Sequence, residues 1–243
     1  MAARKRLDQA LVDQRFADDI TQARAFIGAG LVLVNTRNDY KAGSLIPVGA
    51  ELVVKSRPRF VSRGGDKLDG GLSELGIDVK GWVCADIGCS TGGFTDCLLY
   101  RSAAKVYCVD VGYGLLDWKL RQDDRVVVLE RTNARYISKK EIPEPLDFTV
   151  IDASFISLGR LLEPLLPLFA SQARILALVK PQFELPRSSV GVGGIVRESD
   201  LHLEAMERVK RFGREIGLHF VAGVASSLRG AKGNQEFLLY FTS

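Results

Sequence analysis

What this sequence lacks narrows its function before any motif is read. No apolar run approaches the roughly 18 residues that a membrane-spanning helix needs. The start, Met1-Ala2-Ala3-Arg4-Lys5-Arg6-Leu7-Asp8, has no apolar stretch of the secretory kind, and a cytoplasmic protein without a membrane partner is expected. Histidine is nearly missing: His202 and His219 stand away from any Ser, Cys or carboxylate motif, which disfavours a zinc site or a histidine-based triad. The four cysteines, Cys84, Cys89, Cys97 and Cys108, form no Cys-x-x-Cys pair, so they read as small core residues rather than metal ligands or a disulfide framework. No metal is expected.

The charge present is unevenly placed. Residues 1–67 hold 12 lysines and arginines against 7 acids, while the remainder holds 21 against 22. The basic excess therefore belongs to the N-terminal quarter. Its densest stretch is Lys55-Ser56-Arg57-Pro58-Arg59-Phe60-Val61-Ser62-Arg63, where basic residues alternate around an aromatic. Such a patch suits a phosphate backbone, and a merely solvated basic face is the alternative.

Periodicity divides the chain in the same place. Helices are predicted from Leu7 to Gln14 and from Thr21 to Ala29, with strands over 31–35 and 51–54 and a loop over 43–49. This gives a small α+β domain over 1–55, a basic linker over 56–65 and a larger domain over 66–243. In the larger part strands and helices alternate: a helix closed by Gly76, strands 83–87, 105–109, 126–129, 148–151 and 174–179, and helices 93–100, 115–120, 158–170 and 201–216. That order predicts an α/β, doubly wound, Rossmann-like parallel sheet. Strands 219–224 and 236–241 are joined by a polar, glycine-containing connector too short for a crossover, so this last pair should be antiparallel. A parallel sheet finished in this way marks the methyltransferase version of the fold.

Asp86-Ile87-Gly88-Cys89-Ser90-Thr91-Gly92-Gly93-Phe94-Thr95-Asp96 follows a buried strand and opens a helix. Its glycines permit a tight turn and close approach of backbone to a ligand. The spacing is not Gly-x-Gly-x-x-Gly, and no Gly-Lys-Ser/Thr follows, which argues against dinucleotide and P-loop sites. Asp110 ends the next strand, where a carboxylate can accept both hydroxyls of a ribose. Asp86, ahead of the glycines, suits a cationic amino-acid ligand and disfavours a pyrophosphate. The combination points to S-adenosylmethionine. Asp152-Ala153-Ser154-Phe155 at the fourth strand end is neither the Asn/Asp-Pro-Pro-aromatic motif of amine methylation nor a Pro-Cys nucleophile, which leaves a hydroxyl acceptor.

Lys67, Asp152, Lys180 and Glu236 fall at predicted strand ends or loops facing one crevice. Lys180 closes an apolar strand just before Pro181, a place where burial and neighbouring charge tune a lysine's basicity.

The segments Arg6-Leu7-Asp8, Ala29-Gly30-Leu31-Val32-Leu33-Val34-Asn35, Ser62-Arg63-Gly64-Gly65-Asp66-Lys67-Leu68, the 86–96 loop, Ile151–Leu158, Val179-Lys180-Pro181-Gln182-Phe183-Glu184 and Lys232–Phe237 together resemble the TlyA family. These are haemolysin-labelled proteins with an S-four-type RNA-binding domain joined to an FtsJ-like (RrmJ-like) methyltransferase domain. The resemblance implies a catalytic tetrad at Lys67, Asp152, Lys180 and Glu236. It implies 2′-O-methylation of cytidine in ribosomal RNA of one or both subunits. The expected cofactor contacts are Asp86, Gly88, Cys89, Ser90, Thr91, Gly92, Gly93, Phe94, Asp110, Asn133 and Asp152. The expected RNA contacts are Arg4, Lys5, Arg6, Arg24, Lys41, Arg57, Arg59 and Arg63, in a monomer or weak dimer. The alternatives are an RNA- or ribosome-binding protein with an inactive enzyme domain, and a cytolysin. The chain departs from the pattern at Asp19-Ile20, where the family has Ser-Arg, and at Asn35-Thr36, where it has Asn-Gly.

Overall fold

A computed structural model describes residues 3–55, 59–230 and 232–243. The chain divides into two compact units, Met1–Pro58 and Arg59–Ser243. Arg57 lies outside the described residues.

The first unit pairs β1 (Arg4–Arg6) with β3 (Leu45–Pro47) and β2 (Val32–Val34) with β4 (Leu52–Val54), both antiparallel. Helices α1 (Leu7–Asp13) and α2 (Ile20–Gly28) complete it. Leu7, Leu11, Ala23, Ile27, Val34, Ile46 and Leu52 form its core. The loop expected over 43–49 is in part the strand β3. Three residues paired with an equally short basic strand some 40 positions earlier leave no periodic signature. Asp19 caps α2 by accepting the Gln22 backbone N–H at 2.7 Å, so the departure from Ser-Arg still supplies a good N-cap. Asn35 and Thr36 both take positive φ, 46° and 74°, in a two-residue turn closed by reciprocal Val34–Arg37 backbone hydrogen bonds.

The second unit runs α3 (Arg63–Glu74), β5 (Val83–Ile87), α4 (Gly93–Tyr100), β6 (Lys105–Val109), α5 (Trp118–Arg121), β7 (Val126–Leu129), β8 (Phe148–Ile151), α6 (Gly159–Leu165), β9 (Arg174–Val179), α7 (Pro181–Glu184), α8 (Ser199–Glu215), β10 (His219–Ala225) and β11 (Phe237–Thr242). The strands form one sheet in the order β10-β11-β9-β8-β5-β6-β7. From β9 to β7 neighbours are parallel, whereas β11 runs antiparallel to both β9 and β10. Leu68, Leu72, Phe94 and Leu98 from α3 and α4 cover one face. Leu161, Leu162, Leu165, Ala205 and Val209 from α6 and α8 cover the other. Helices on both faces of buried, β-branched-rich strands make this the doubly wound arrangement. Among the described residues no helix is long and apolar enough to cross a membrane.

Two expectations need correction. Residues 59–65 belong to the second unit rather than to a linker. Phe60 is buried, the Val61 N–H donates to Asp96 Oδ2 at 2.8 Å, and Ser62 caps α3. Gly65 makes room for this anchor, since a Cβ there would stand 2.3 Å from the Phe60 ring. The helix expected over 158–170 stops at Leu165 and continues only as a 3-10 turn, Leu166–Leu168, because Pro164 and Pro167 remove backbone donors.

Candidate active site

The parallel register sets the carboxyl ends of β5, β6, β8 and β9 along one edge, where open sheets bind ligands. Ile87 pairs with Val109 on one side and Ile151 on the other. The residues that follow, Gly88, Asp110 and Asp152, therefore line up there. Phe237 pairs with Val179, so Glu236 precedes β11 where Lys180 follows β9.

The glycine loop is built tightly. Gly88 has φ 82°, and a Cβ on it would sit 2.8 Å from the Asp152 carbonyl oxygen. Ser90 takes φ 48°, and its N–H donates to Asp110 Oδ2 at 2.9 Å. Asp110 Oδ1 accepts the Gly112 N–H at 2.7 Å. Each of these oxygens keeps a lone pair for a ligand hydroxyl. Asp110 and Asn133 line a cleft of about 320 Å³ together with Gly88, Ser90, Asp152 and Phe155. Asn133 also accepts the Arg135 N–H at 3.1 Å.

Below the loop, Gly88, Cys89, Ser90, Thr91, Gly93 and Phe94 line a smaller cavity of about 150 Å³ with Asp86, Lys67 and Asp152. Gly92 is buried against Leu116 and Leu120 and does not line it. Asp86 is fully buried, and its Oδ2 accepts from the Thr95 N–H at 2.9 Å and hydroxyl at 2.7 Å, while Oδ1 has no hydrogen-bond partner among the described residues. Burial pushes the Asp86 carboxyl up to about 7, and the Thr95 bonds pull against that. An orphaned carboxylate oxygen beside a small polar cavity fits a cationic amino-acid end. Cys89 is buried, and its thiol is held far from ionising by the hydrogen bond with Cys108 and by burial, so it packs rather than reacts.

The four crevice residues come together. Lys67 Nζ, on α3, donates to Glu236 Oε2 at 2.5 Å, and both residues are buried. Lys180 Nζ lies 2.6 Å from Asp152 Oδ1 and donates to Ser154 Oγ at 2.8 Å. The contact with Asp152 is an ion pair that does not meet the geometry of an aligned hydrogen bond. All four line one cavity of about 390 Å³ with Ser154, Phe155 and Lys232. Asp152 lines all three cavities and is their junction.

Ser154, on Lys180, and Thr95, on Asp86, are site residues that sequence reasoning quoted within motifs but gave no role. Their positions two residues after a strand-end acid and on the first turn after a glycine loop are the available signal.

The basic residues are differently disposed. Arg6 and Arg24 converge on buried Asp8, at 2.7 and 3.1 Å, and the Arg6 hydrogen bond foremost holds that carboxyl down to about 2. Lys5 is paired with Asp13, while Arg4 and Lys41 are exposed. In the second unit Arg59 pairs with Asp69 and stacks over Phe60 and Tyr100, and Arg63 donates to the Arg229 carbonyl at 3.1 Å.

A glycine loop after the first strand of a parallel sheet, an acid after the second and an antiparallel strand inserted at one side define a Rossmann-like methyltransferase domain. The model of the FtsJ-like methyltransferase family matches residues 60–243, and the chain belongs to that family, with TlyA proteins as its full-length relatives. YqxC of Bacillus subtilis (strain 168) is 45% identical over 240 residues, covering 98% of this chain and 85% of that protein. The 16S/23S rRNA (cytidine-2′-O)-methyltransferase TlyA of Mycobacterium tuberculosis (strain ATCC 25618 / H37Rv) is 43% identical over 242 residues, 99% of this chain and 90% of that protein. A solved structure of a haemolysin-labelled protein from Streptococcus thermophilus superposes with a TM-score of 0.76 at 39% identity, covering 100% of this chain and 90% of that one.

Proposed function

We propose that this chain transfers the methyl group of S-adenosylmethionine to a ribose 2′-hydroxyl, at a cytidine of ribosomal RNA in the cytoplasm. The observation that carries the reading is the meeting of Lys67, Asp152, Lys180 and Glu236 as two lysine–carboxylate pairs on one cavity. The substrate reading draws on the activity named for the mycobacterial relative.

Bound S-adenosylmethionine supplies a methyl carbon made electrophilic by its sulfonium. Asp110 and Asn133 would hold its adenosine end in the larger cleft, and Asp86 and the 88–94 loop its amino-acid end in the smaller cavity. The acceptor ribose would enter the cavity between Lys67 and Lys180. The bound cofactor would supply the methyl group to the 2′-oxygen and leave as a neutral thioether, and Lys180, as its free amine, would take the hydroxyl proton. Asp152 and Ser154 fix the Lys180 side chain where it can reach the hydroxyl proton. Glu236 neutralises Lys67 and leaves its remaining N–H bonds to orient the hydroxyl. Holding oxygen, methyl and base in line supplies much of the acceleration. The first unit, with Arg4, Lys5, Arg6, Arg24 and Lys41, and the 57–63 segment with Arg57, Arg59 and Arg63, would contact RNA phosphates.

The test uses purified 30S and 50S subunits lacking the modification, with S-adenosylmethionine carrying a labelled methyl group. Wild-type protein should label one or both, at a position that resists alkaline cleavage. Lys180→Ala should abolish transfer while calorimetric cofactor binding survives. Undiminished transfer by that variant removes Lys180 from the role.

A further inference from the structure

Glu184 is a half-buried carboxylate of the second unit that the methyl-transfer scheme leaves unused, although it ends the Lys180-Pro181-Gln182-Phe183-Glu184 segment. Its Oε2 accepts the Ser157 hydroxyl at 2.7 Å and its Oε1 accepts the Leu158 N–H at 2.9 Å. Burial raises its proton affinity, against the pull of those two bonds. Leu158 is the N-cap of α6 and receives no capping bond from its own side chain. An anion there satisfies an orphan N–H and faces the positive end of the helix.

The same segment grips the 152–158 strap at three points. Lys180 holds Asp152 and Ser154 at one end. Glu184 holds Ser157 and Leu158 at the other. Between them the Phe183 ring lies 5.1 Å from that of Phe155, which has φ 65° and is 91% exposed. A positive φ in an aromatic residue is strained and persists only where the surroundings hold it. Lys180 and Glu184 are four residues apart across one helical turn, so both side chains reach the same strap.

We propose that Glu184 is a positioning residue for the methyl transfer: through Ser157 and the Leu158 N–H it holds the 153–157 strap in the shape that keeps Asp152 and Ser154 on the Lys180 side-chain nitrogen. The inference rests on the reading of Lys180 as proton acceptor. Without Glu184, Phe155 relaxes toward ordinary backbone angles, the strap lifts, and the Lys180 amine loses its alignment. The strap lines one wall of the cofactor cleft through Asp152 and Phe155, while Asp86, Gly88 and Asp110, none of which Glu184 touches, stay in place to hold the cofactor.

The experiment compares Glu184→Ala, Glu184→Gln and Lys180→Ala in the full chain. Single-turnover methyl transfer to unmodified ribosomal subunits is measured at saturating S-adenosylmethionine, alongside the cofactor Kd and the melting transition. Glu184→Ala should slow the single-turnover step about tenfold to a hundredfold, the loss that follows a displacement of about 1 Å. Its cofactor Kd should stay within about threefold of wild type, a shift of under 1 kcal/mol. Glu184→Gln still accepts the Leu158 N–H and donates to Ser157, and should restore most of the rate. A wild-type rate for Glu184→Ala overturns the proposal, as does a Glu184→Gln variant that melts normally yet is as slow as alanine. Should Glu184→Ala fail to fold, the glutamine variant decides alone, since near-normal activity is then required of it. A fully active Lys180→Ala refutes the proton-acceptor reading itself. An inactive Lys180→Ala beside an unimpaired Glu184→Ala refutes only the positioning role.

Discussion

Removing the Glu236 carboxylate strands an ammonium group in the interior. The Lys67 and Glu236 side chains are only 11% and 4% exposed, and their charged atoms lie 2.5 Å apart. Deleting one partner of a buried pair costs roughly 3–5 kcal/mol, mostly through the uncompensated charge left behind. There is also a ceiling, because an ammonium that becomes too costly releases its proton, which at pH 7 costs an ordinary lysine about 5 kcal/mol. Glu236→Ala should therefore destabilise the Arg59–Ser243 unit by about 4 kcal/mol. At about 2–4 °C per kcal/mol for a unit of this size, its melting transition should fall by about 10 °C. Scanning calorimetry reads this, with each unit's transition fitted separately. The double variant Lys67→Met/Glu236→Leu removes both charges at similar volume and should recover most of the stability without any methyl transfer. The reasoning is refuted if Glu236→Ala melts within about 2 °C of wild type, because the lysine must then be reaching water.

Two further perturbations test other levels of the structure. The folded state keeps a proton on Asp86 up to about pH 7 that the unfolded chain releases near pH 4, so this group's contribution to stability is greatest at acid pH and declines as pH rises through 7. A cationic ligand favours the ionised form, so the S-adenosylmethionine Kd should tighten between about pH 6 and 8, and Asp86→Asn should flatten both trends in calorimetry and denaturant titration. Thr36 holds φ 74° in a turn that needs positive φ at both positions, which a β-branched residue adopts at a cost of about 1–2 kcal/mol. Thr36→Gly should accordingly stabilise the first unit by about 1 kcal/mol in urea unfolding, and no gain would mean the strain is relieved elsewhere.

The strand ends were readable because β5, β6, β8 and β9 are buried on both faces and carry runs such as Ile175–Val179 that no surface segment could carry, whereas the edge strand β7 is only half-buried. Lys180 was readable because a charge closing such a strand before a proline has few structural uses. Other features depend on contacts that no local pattern encodes. The β1–β3 pairing joins two three-residue strands. The burial of Phe60 is masked by the arginines around it and is made possible by Gly65. Charge counting marked Arg6 and Arg24 as RNA contacts, and that both guanidinium groups also pair with the buried Asp8 depends on where the fold places Asp8. Glu184 reaches back 26 and 27 positions to a strap whose shape is set only in the fold.

The antiparallel strand β11 is the structural reason the four residues can meet. Three of them lie where chain direction would lead one to look: Asp152 and Lys180 follow parallel strands, and Lys67 lies on the helix packed over that edge. Glu236 precedes its strand instead. In a parallel strand, the residue before the first position lies at the opposite edge of the sheet, and β11's length at about 3.3 Å per residue would carry the carboxylate some 20 Å away from Lys67. Running antiparallel to β9, with Phe237 opposite Val179, the strand brings the carboxylate to the same edge as Lys180. The reversal thus sets the second lysine–carboxylate pair in place. Any rearrangement that moved the β11 register by one residue would turn Leu238, now buried against Gly71, to the other face and pull Glu236 off Lys67 at once. Fold stability and site assembly are coupled at this strand, so substitutions in its core residues should cost activity and melting temperature together.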